Sequence, residues 1–240
     1  MSDLVLALDA ATAVATVAVG SPGREPLERV VGREPLRHAS RLLPAVRDLL
    51  DEVGARPADL AALVVADGPG SFTGLRISAG LAKGLIHGTR CRLYAVPSLL
   101  GCAARIAAAH PGAGRVAALY DALRGDLFVA LWAPGDTRVV RSAVPATDLE
   151  RLGQVAVAGG PGALAHANAV RAWTGTSPVG PPDGQASARA LLGLALAAPE
   201  TYEIREPLGW EPEYGRPAEA QVRWEARHGR PLPDSVRSSR

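Results

Sequence analysis

A chain of 240 residues with 48% hydrophobic and 21% charged side chains can bury one sizeable core or two smaller ones, and it is not a disordered tail. A formal net charge of +2 excludes a chain-wide electrostatic grip on nucleic acid, so any contact with RNA needs a local patch or a partner. Two cysteines, Cys91 and Cys102, build no disulfide framework, and no apolar run approaches the roughly 18–20 residues of a membrane span. The expectation is a soluble, cytoplasmic protein.

The opening stretch, MSDLVLALDA, has an acid at Asp3 and no basic run, which argues against a secretory signal. LVLALDA, ending near Asp9, and the alternating ATVAVG at 15–20 read as a hairpin, with PLERVV at 26–31 as a third strand. Ser40 reads as the N-cap of a helix over 41–54, whose apolar Leu42, Leu43, Val46, Leu49 and Leu50 keep helical spacing. Pro44 falls near its first turn and Gly54 stops it. A strand over 61–66 enters DGPGSFTGLR at 67–76, where Ser71 or Thr73 caps a helix over 75–87. A short strand near 92–96 and a helix over 98–109 follow.

HPGAGR at 110–115 marks a boundary, after which the pattern begins again. RVAALYDA, GDLFVALW and TRVVRSAV read as three strands, and VAVAGGPGALAHANAVRAW (155–173) as strand, glycine turn and helix. A loop at 175–184 leads to a helix over 186–198, and the Pro-, Glu- and Arg-rich remainder reads as an extended tail. LALDA at 6–10 answers ALYDA at 118–122, and VVADGPGS at 64–71 answers VAGGPGA at 157–163. The expected organisation is an N-terminal α/β lobe over 1–110, a smaller second lobe over 111–200 and a tail over 201–240.

Asp9 and Thr12 lie on the first hairpin turn, Asp121 lies on the second within DALRG, and Gly159, Gly160 and Gly162 open a helix. This arrangement resembles the duplicated actin-like ATPase fold of the sugar-kinase and ribonuclease-H-like type, where hairpin turns hold phosphates and a glycine turn supports adenine. A vestigial nucleotide site is one reading of these six residues. The plainer one is that the aspartates end strands and cap turns. The first turn, DAATAVAT, lacks the glycine that lets backbone approach a phosphate closely. Nor is DGPGSFTGLR a Walker loop, because no Gly-Lys-Ser/Thr follows its glycines. The helix beyond it is apolar almost all round, and Gly80, Gly84 and Gly88 recur at steps of four. Glycines in a helix interior cost about 1 kcal/mol each relative to alanine, a cost most easily understood where another backbone comes close. The covering layer can be helix 41–53 or another subunit.

DGPGSFTGLRISAGLAKGL resembles the signature of the TsaB (YeaZ) family, with LALDAATAVATVAV, HASRLLPAV, DALRGDLFVALW and EPEYGR carrying the likeness along most of the chain. Leu123 stands where the family has an arginine, and Gly215 is a second departure. The resemblance implies a non-catalytic paralogue of the TsaD threonylcarbamoyltransferase. It implies pairing with a TsaD-type protein, recruitment of a TsaE-type ATPase, contact with tRNA through that complex, and homodimerisation as an option for the chain alone. ATP is expected only within the complex, and no cofactor on the isolated chain. The transferase's His-x-x-x-His metal pair aligns with Ser98 and Cys102, which cannot replace two imidazoles, so no metal and no catalytic residue are expected. The implied partner interface comprises Leu43, Arg47, Leu50, Ser71, Phe72, Thr73, Leu75, Arg76, Ala79, Gly80, Lys83 and Gly84. Two other readings are a small ATP-dependent kinase or sensor using Asp9, Asp121 and the GGPG turn at 159–162, and a metalloprotease, for which the chain lacks ligands. His38 reads as a surface residue near a cap. Trp210, Tyr214 and Trp224 with nearby arginines could stack on RNA, although seven arginines against six acids over 205–240 favour a docked tail.

Overall fold

Alternation of side chains along each strand decides the layering. The structure, a computed structural model, describes residues 3–32, 38–133, 138–215 and 227–229. The first sheet contains β1 (Leu4–Asp9), β2 (Ala15–Gly20), β3 (Leu27–Gly32), β4 (Leu60–Ala66), β5 (Arg92–Val96) and the short β10 (Glu203–Ile204), in the order β10-β5-β4-β1-β2-β3. The second contains β6 (Val116–Leu123), β7 (Asp126–Trp132), β8 (Arg138–Pro145) and β9 (Val157–Gly159), in the order β8-β7-β6-β9. In each sheet an antiparallel three-stranded meander is followed by a strand parallel to the meander's first. The two halves are therefore one topology written twice, the duplicated actin-like α/β plan. The second copy lacks a counterpart of β5, and a 3-10 segment, Ala146–Leu152, stands where the first copy has its helix over His38–Glu52.

Leu6, Leu8, Leu63, Val65 and Leu93 point to one face of the first sheet, while Val5, Ala7, Val64, Tyr94 and Val96 point to the other. This period of two is what a sheet covered on both faces requires. The outer face is covered by α1 (His38–Glu52) and α2 (Phe72–Ile86). The inner faces of both sheets share one core with α3 (Ser98–Ala109) and α6 (Ala188–Ala197). The far face of the second sheet is covered by α4 (Pro161–Ala165), α5 (Ala167–Thr174) and the 3-10 segment Ala146–Leu152.

The two inner helices are exchanged. α3 leaves the first sheet yet packs on β6, β7 and β9, whereas α6 leaves the second half and packs on β1, β2, β4 and β5. The expected division at 110 falls between α3 and α6, and each packs on the sheet of the other half, since apolar periodicity shows which face a helix buries and not against which sheet. Polar contacts tie the exchange. Glu28 on β3 accepts from Arg105 of α3 at 3.0 Å, from Ser187 Oγ at 2.9 Å and from the Arg189 amide at 3.0 Å. Thr16 Oγ1 accepts from the Ala188 amide at 2.8 Å.

Helix ends follow local chemistry. α2 begins at Phe72, earlier than the expected 75, because Ser71 Oγ accepts from the Gly74 amide at 3.2 Å. α1 begins at His38, so Ser40 lies inside the helix and is not its N-cap. It ends at Glu52, and the chain turns away through Gly54, with φ +67° and the Ala55 amide closing on Leu50 O at 2.9 Å. The single helix expected over the end of 155–173 is broken at His166 into α4 and α5. Arg216, Trp224 and the side chains of His38 and Leu123 lie outside the described residues. The stretch expected as an extended tail turns back onto the body through α7 (Pro199–Tyr202), β10 and residues up to Gly215.

Candidate functional site

Beyond the ends of β1 and β4, one turn of the chain is packed directly against another. Gly70 and Gly74 lie so close to the carbonyls of Ala11 and Ala10 that any side chain at either position would collide with them. The Ser71 amide donates to Ala11 O at 2.7 Å. Glycine is needed in DGPGSFTG because one turn rests directly on another. The second half repeats the device: side chains at Gly160 and Gly162 would strike the backbone of Leu119, Tyr120 and Asp121. Gly159 is likewise closed off, by Ile106 and Val179.

Asp9 has no exposed surface. Its Oδ1 accepts from the Ala11 amide at 3.0 Å, and its Oδ2 has no hydrogen-bond partner among the described residues. Burial pushes its carboxyl up to about 7, against the pull of the Ala11 amide and with a further push from Glu28. Thr12 is almost as buried, its hydroxyl donating to Val14 O at 2.9 Å. Asp121 is exposed. The six residues of the expected nucleotide site therefore do not line one open cleft: solvent reaches Asp121 but not Asp9, and the three glycines are buried. A shallow depression of about 660 Å³ lies elsewhere, bordered by Arg115, Gln154 and Thr174.

On α3, Ser98 and Cys102 are both fully buried. Ser98 Oγ donates to Pro69 O at 2.8 Å and its amide to Gly68 O at 2.9 Å, so this serine pins the helix to the 67–70 turn. Tyr120 OH donates to Ser98 O at 3.2 Å. Burial pushes the Cys102 thiol up to about 12, far from a usable nucleophile. No group of three or more His, Cys, Asp or Glu among the described residues could hold a metal ion.

What remains open is one side of α2. At about 100° per residue its buried positions, Gly74, Leu75, Ser78, Ala79, Ala82 and Ile86, form one arc. Thr73, Arg76, Gly80 and Gly84 form the exposed arc opposite. Ile77, Leu81 and Leu85 border it on the side that packs with α1, and Phe72 and Lys83 border it on the other. Nothing among the described residues comes within 4 Å of a Cβ built on Gly80 or Gly84. On α1, Leu43 is 53% exposed and Arg47 is exposed beside Asp48.

Five of the expected interface residues are engaged within the chain itself. Leu50, Leu75 and Ala79 are buried in the chain's own core, because an all-round apolar helix does not declare which stripe its own sheet takes. Lys83 is engaged within the chain: its Nζ donates to Leu208 O at 3.2 Å and to Glu211 Oε1 at 3.3 Å. Ser71 is the helix cap. Sequence reasoning missed what borders this arc. Tyr214 packs on Phe72 with ring centroids 4.6 Å apart, and Arg76 lies 5.3 Å over the same Phe72 ring. The Glu213 amide donates to Asp67 O at 2.7 Å, while Gly68 and Gly215 leave room for the two backbones to pass. The unusual Gly215 was the available signal.

Residues 35–148 match the model of the TsaD family, described as tRNA N6-adenosine threonylcarbamoyltransferase. The chain is 37% identical over 126 residues to the tRNA threonylcarbamoyladenosine biosynthesis protein TsaB of Escherichia coli (strain K12), covering 52% of this chain and 53% of that one. The solved structure of YeaZ from Pseudomonas aeruginosa superposes with a TM-score of 0.64 at 32% identity, covering 84% of this chain and 96% of that chain. The chain belongs to the TsaB (YeaZ) family. A second solved structure, of an uncharacterized protein with similarity to peptidase YEAZ from Pseudomonas aeruginosa, matches this TsaB-family chain with a TM-score of 0.67 at 30% identity. It covers 90% of this chain and all 100% of that one. The match spans about half the length of the curated TsaB relatives.

Proposed function

We propose that the chain is a non-catalytic scaffold subunit of the assembly that forms threonylcarbamoyladenosine in tRNA. In this reading it pairs with a TsaD-type transferase and recruits a TsaE-type ATPase, and it meets tRNA through that complex in the cytoplasm. ATP enters with the complex, and the isolated chain carries no cofactor and catalyses nothing by itself. Alone, the same surface allows a homodimer.

The observation that carries the reading is the exposed arc of α2. Two helix-interior glycines cost about 1 kcal/mol each, and no atom of the described residues uses the space they leave. A helix from another chain can use it, because glycine lets two helix axes approach closely. The TsaD match at 35–148 includes α1 and α2, so a TsaD-type protein offers a comparable helix pair to pack against this one. The curated relatives' names supply the pathway.

Light scattering after gel filtration of the chain mixed with the TsaD-type paralogue of the same cell tests this, with a one-to-one species as the expected result. Gly84→Arg, at an exposed position, is expected to abolish that species while leaving the thermal unfolding of the chain close to wild type. Ala79→Arg is not a substitute, since Ala79 is buried and its replacement reports on folding. Undiminished pairing by Gly84→Arg overturns the choice of surface.

A further inference from the structure

We infer that residues 206–215 form a strap that completes the partner surface, with Leu208 as a direct contact and Lys83 as the residue that positions it. This rests on the α2 reading above and extends it to a segment more than 120 residues away in sequence. The strap is held at both ends. At one, the Glu213 amide bonds Asp67 O, Tyr214 packs on Phe72, and Gly215 lies against Pro69 and Phe128. At the other, Lys83 Nζ binds Leu208 O and Glu211 Oε1. These anchors sit at Phe72 and Lys83, eleven residues apart on α2, or about 16 Å at 1.5 Å per residue. Both belong to the same border of the exposed arc, so the strap runs along that border as a wall beside Gly80 and Gly84.

Leu208 is 68% exposed, more than any other large apolar side chain among the described residues. Its carbonyl is fixed to α2 while its side chain is left to solvent. The chain's only lysine is thus spent on holding this backbone in place beside the arc. The occupant we assign is a helix of the TsaD-type paralogue. Arg76 adds a charge to the arc without an ion pair among the described residues, and it calls for an acid on that helix.

The test is a titration of the labelled TsaD-type paralogue with wild type, Leu208→Glu, Lys83→Gln, Lys83→Arg and Gly84→Arg. Leu208→Glu is expected to lower affinity at least tenfold with unchanged thermal unfolding. Lys83→Gln is expected to weaken binding several-fold, and Lys83→Arg, which keeps the charge and the donors, to restore most of it. If Gly84→Arg abolishes pairing while Leu208→Glu and Lys83→Gln bind like wild type, the strap inference is overturned and the α2 reading stands. If Gly84→Arg also binds like wild type, the α2 reading fails and takes the strap with it.

Discussion

Asp9 is an acid at the end of a strand that solvent does not reach. Its carboxyl is sealed beneath the Ala10–Ala11 turn, with Oδ1 bonded to the Ala11 amide and Oδ2 without a hydrogen-bond partner among the described residues. Burial raises its folded value from 3.8 to about 7. Between those two values the folded chain keeps a proton that the unfolded chain has released. The stabilising contribution is complete below about 4 and is lost as pH rises through about 7, by an amount on the order of a few kcal/mol. Asp9→Asn stays neutral and keeps the acceptor for the Ala11 amide. Urea unfolding is therefore expected to show the variant gaining on wild type between pH 5 and pH 8. An equal difference at both pH values would show that Asp9 titrates normally. The identity of Asp9 as a strand-ending acid on a hairpin turn was legible in the sequence. Its burial was not, because burial depends on Gly70 and Gly74 bringing a second turn down onto it.

At the scale of elements, α2 carries the clearest signal and the clearest misreading. Ser71 was legible as one of two candidate caps, although the helix was expected from 75 and begins at Phe72, and the glycine repeat was legible as an anomaly in a helix. Which stripe faced the chain's own sheet was not, because Leu75, Ile77, Ala79, Leu81, Ala82 and Leu85 wrap the helix and leave no polar side to orient it. The structure resolves the choice by covering Leu75 and Ala79 and leaving Gly80 and Gly84 bare. Opposite effects on the chain and on the complex follow. Gly80→Ala and Gly84→Ala are each expected to stabilise the isolated chain by about 1 kcal/mol, since the added methyl meets nothing within 4 Å. The same pair is expected to weaken pairing, because the partner's approach needs that space. Thermal unfolding of the chain and titration of the partner read the two effects separately. Stabilisation without any loss of pairing would mean that the partner packs elsewhere.

For the whole molecule, the exchange of α3 and α6 matters most. Each inner helix sits on the sheet built by the other half, and Glu28 bonds both Arg105 of α3 and Ser187 at the start of α6. One continuous core therefore runs between the sheets, with Tyr120, Phe128, Leu99 and Leu191 in it. The two halves are expected to unfold together, as a single calorimetric transition with matching van't Hoff and calorimetric enthalpies. Two resolved transitions would mean that the lobes are independent despite the shared core. By itself the sequence determined the strands, the duplication, the capped glycine turn and the family, because these rest on short-range periodicity, turn chemistry and a long specific motif. Only the tertiary structure decided that the first hairpin turn is closed, that α3 and α6 change places, and that the C-terminal segment returns to hold Lys83. Each of these depends on contacts between residues far apart in the chain, and local pattern does not encode which distant partner fills a given space.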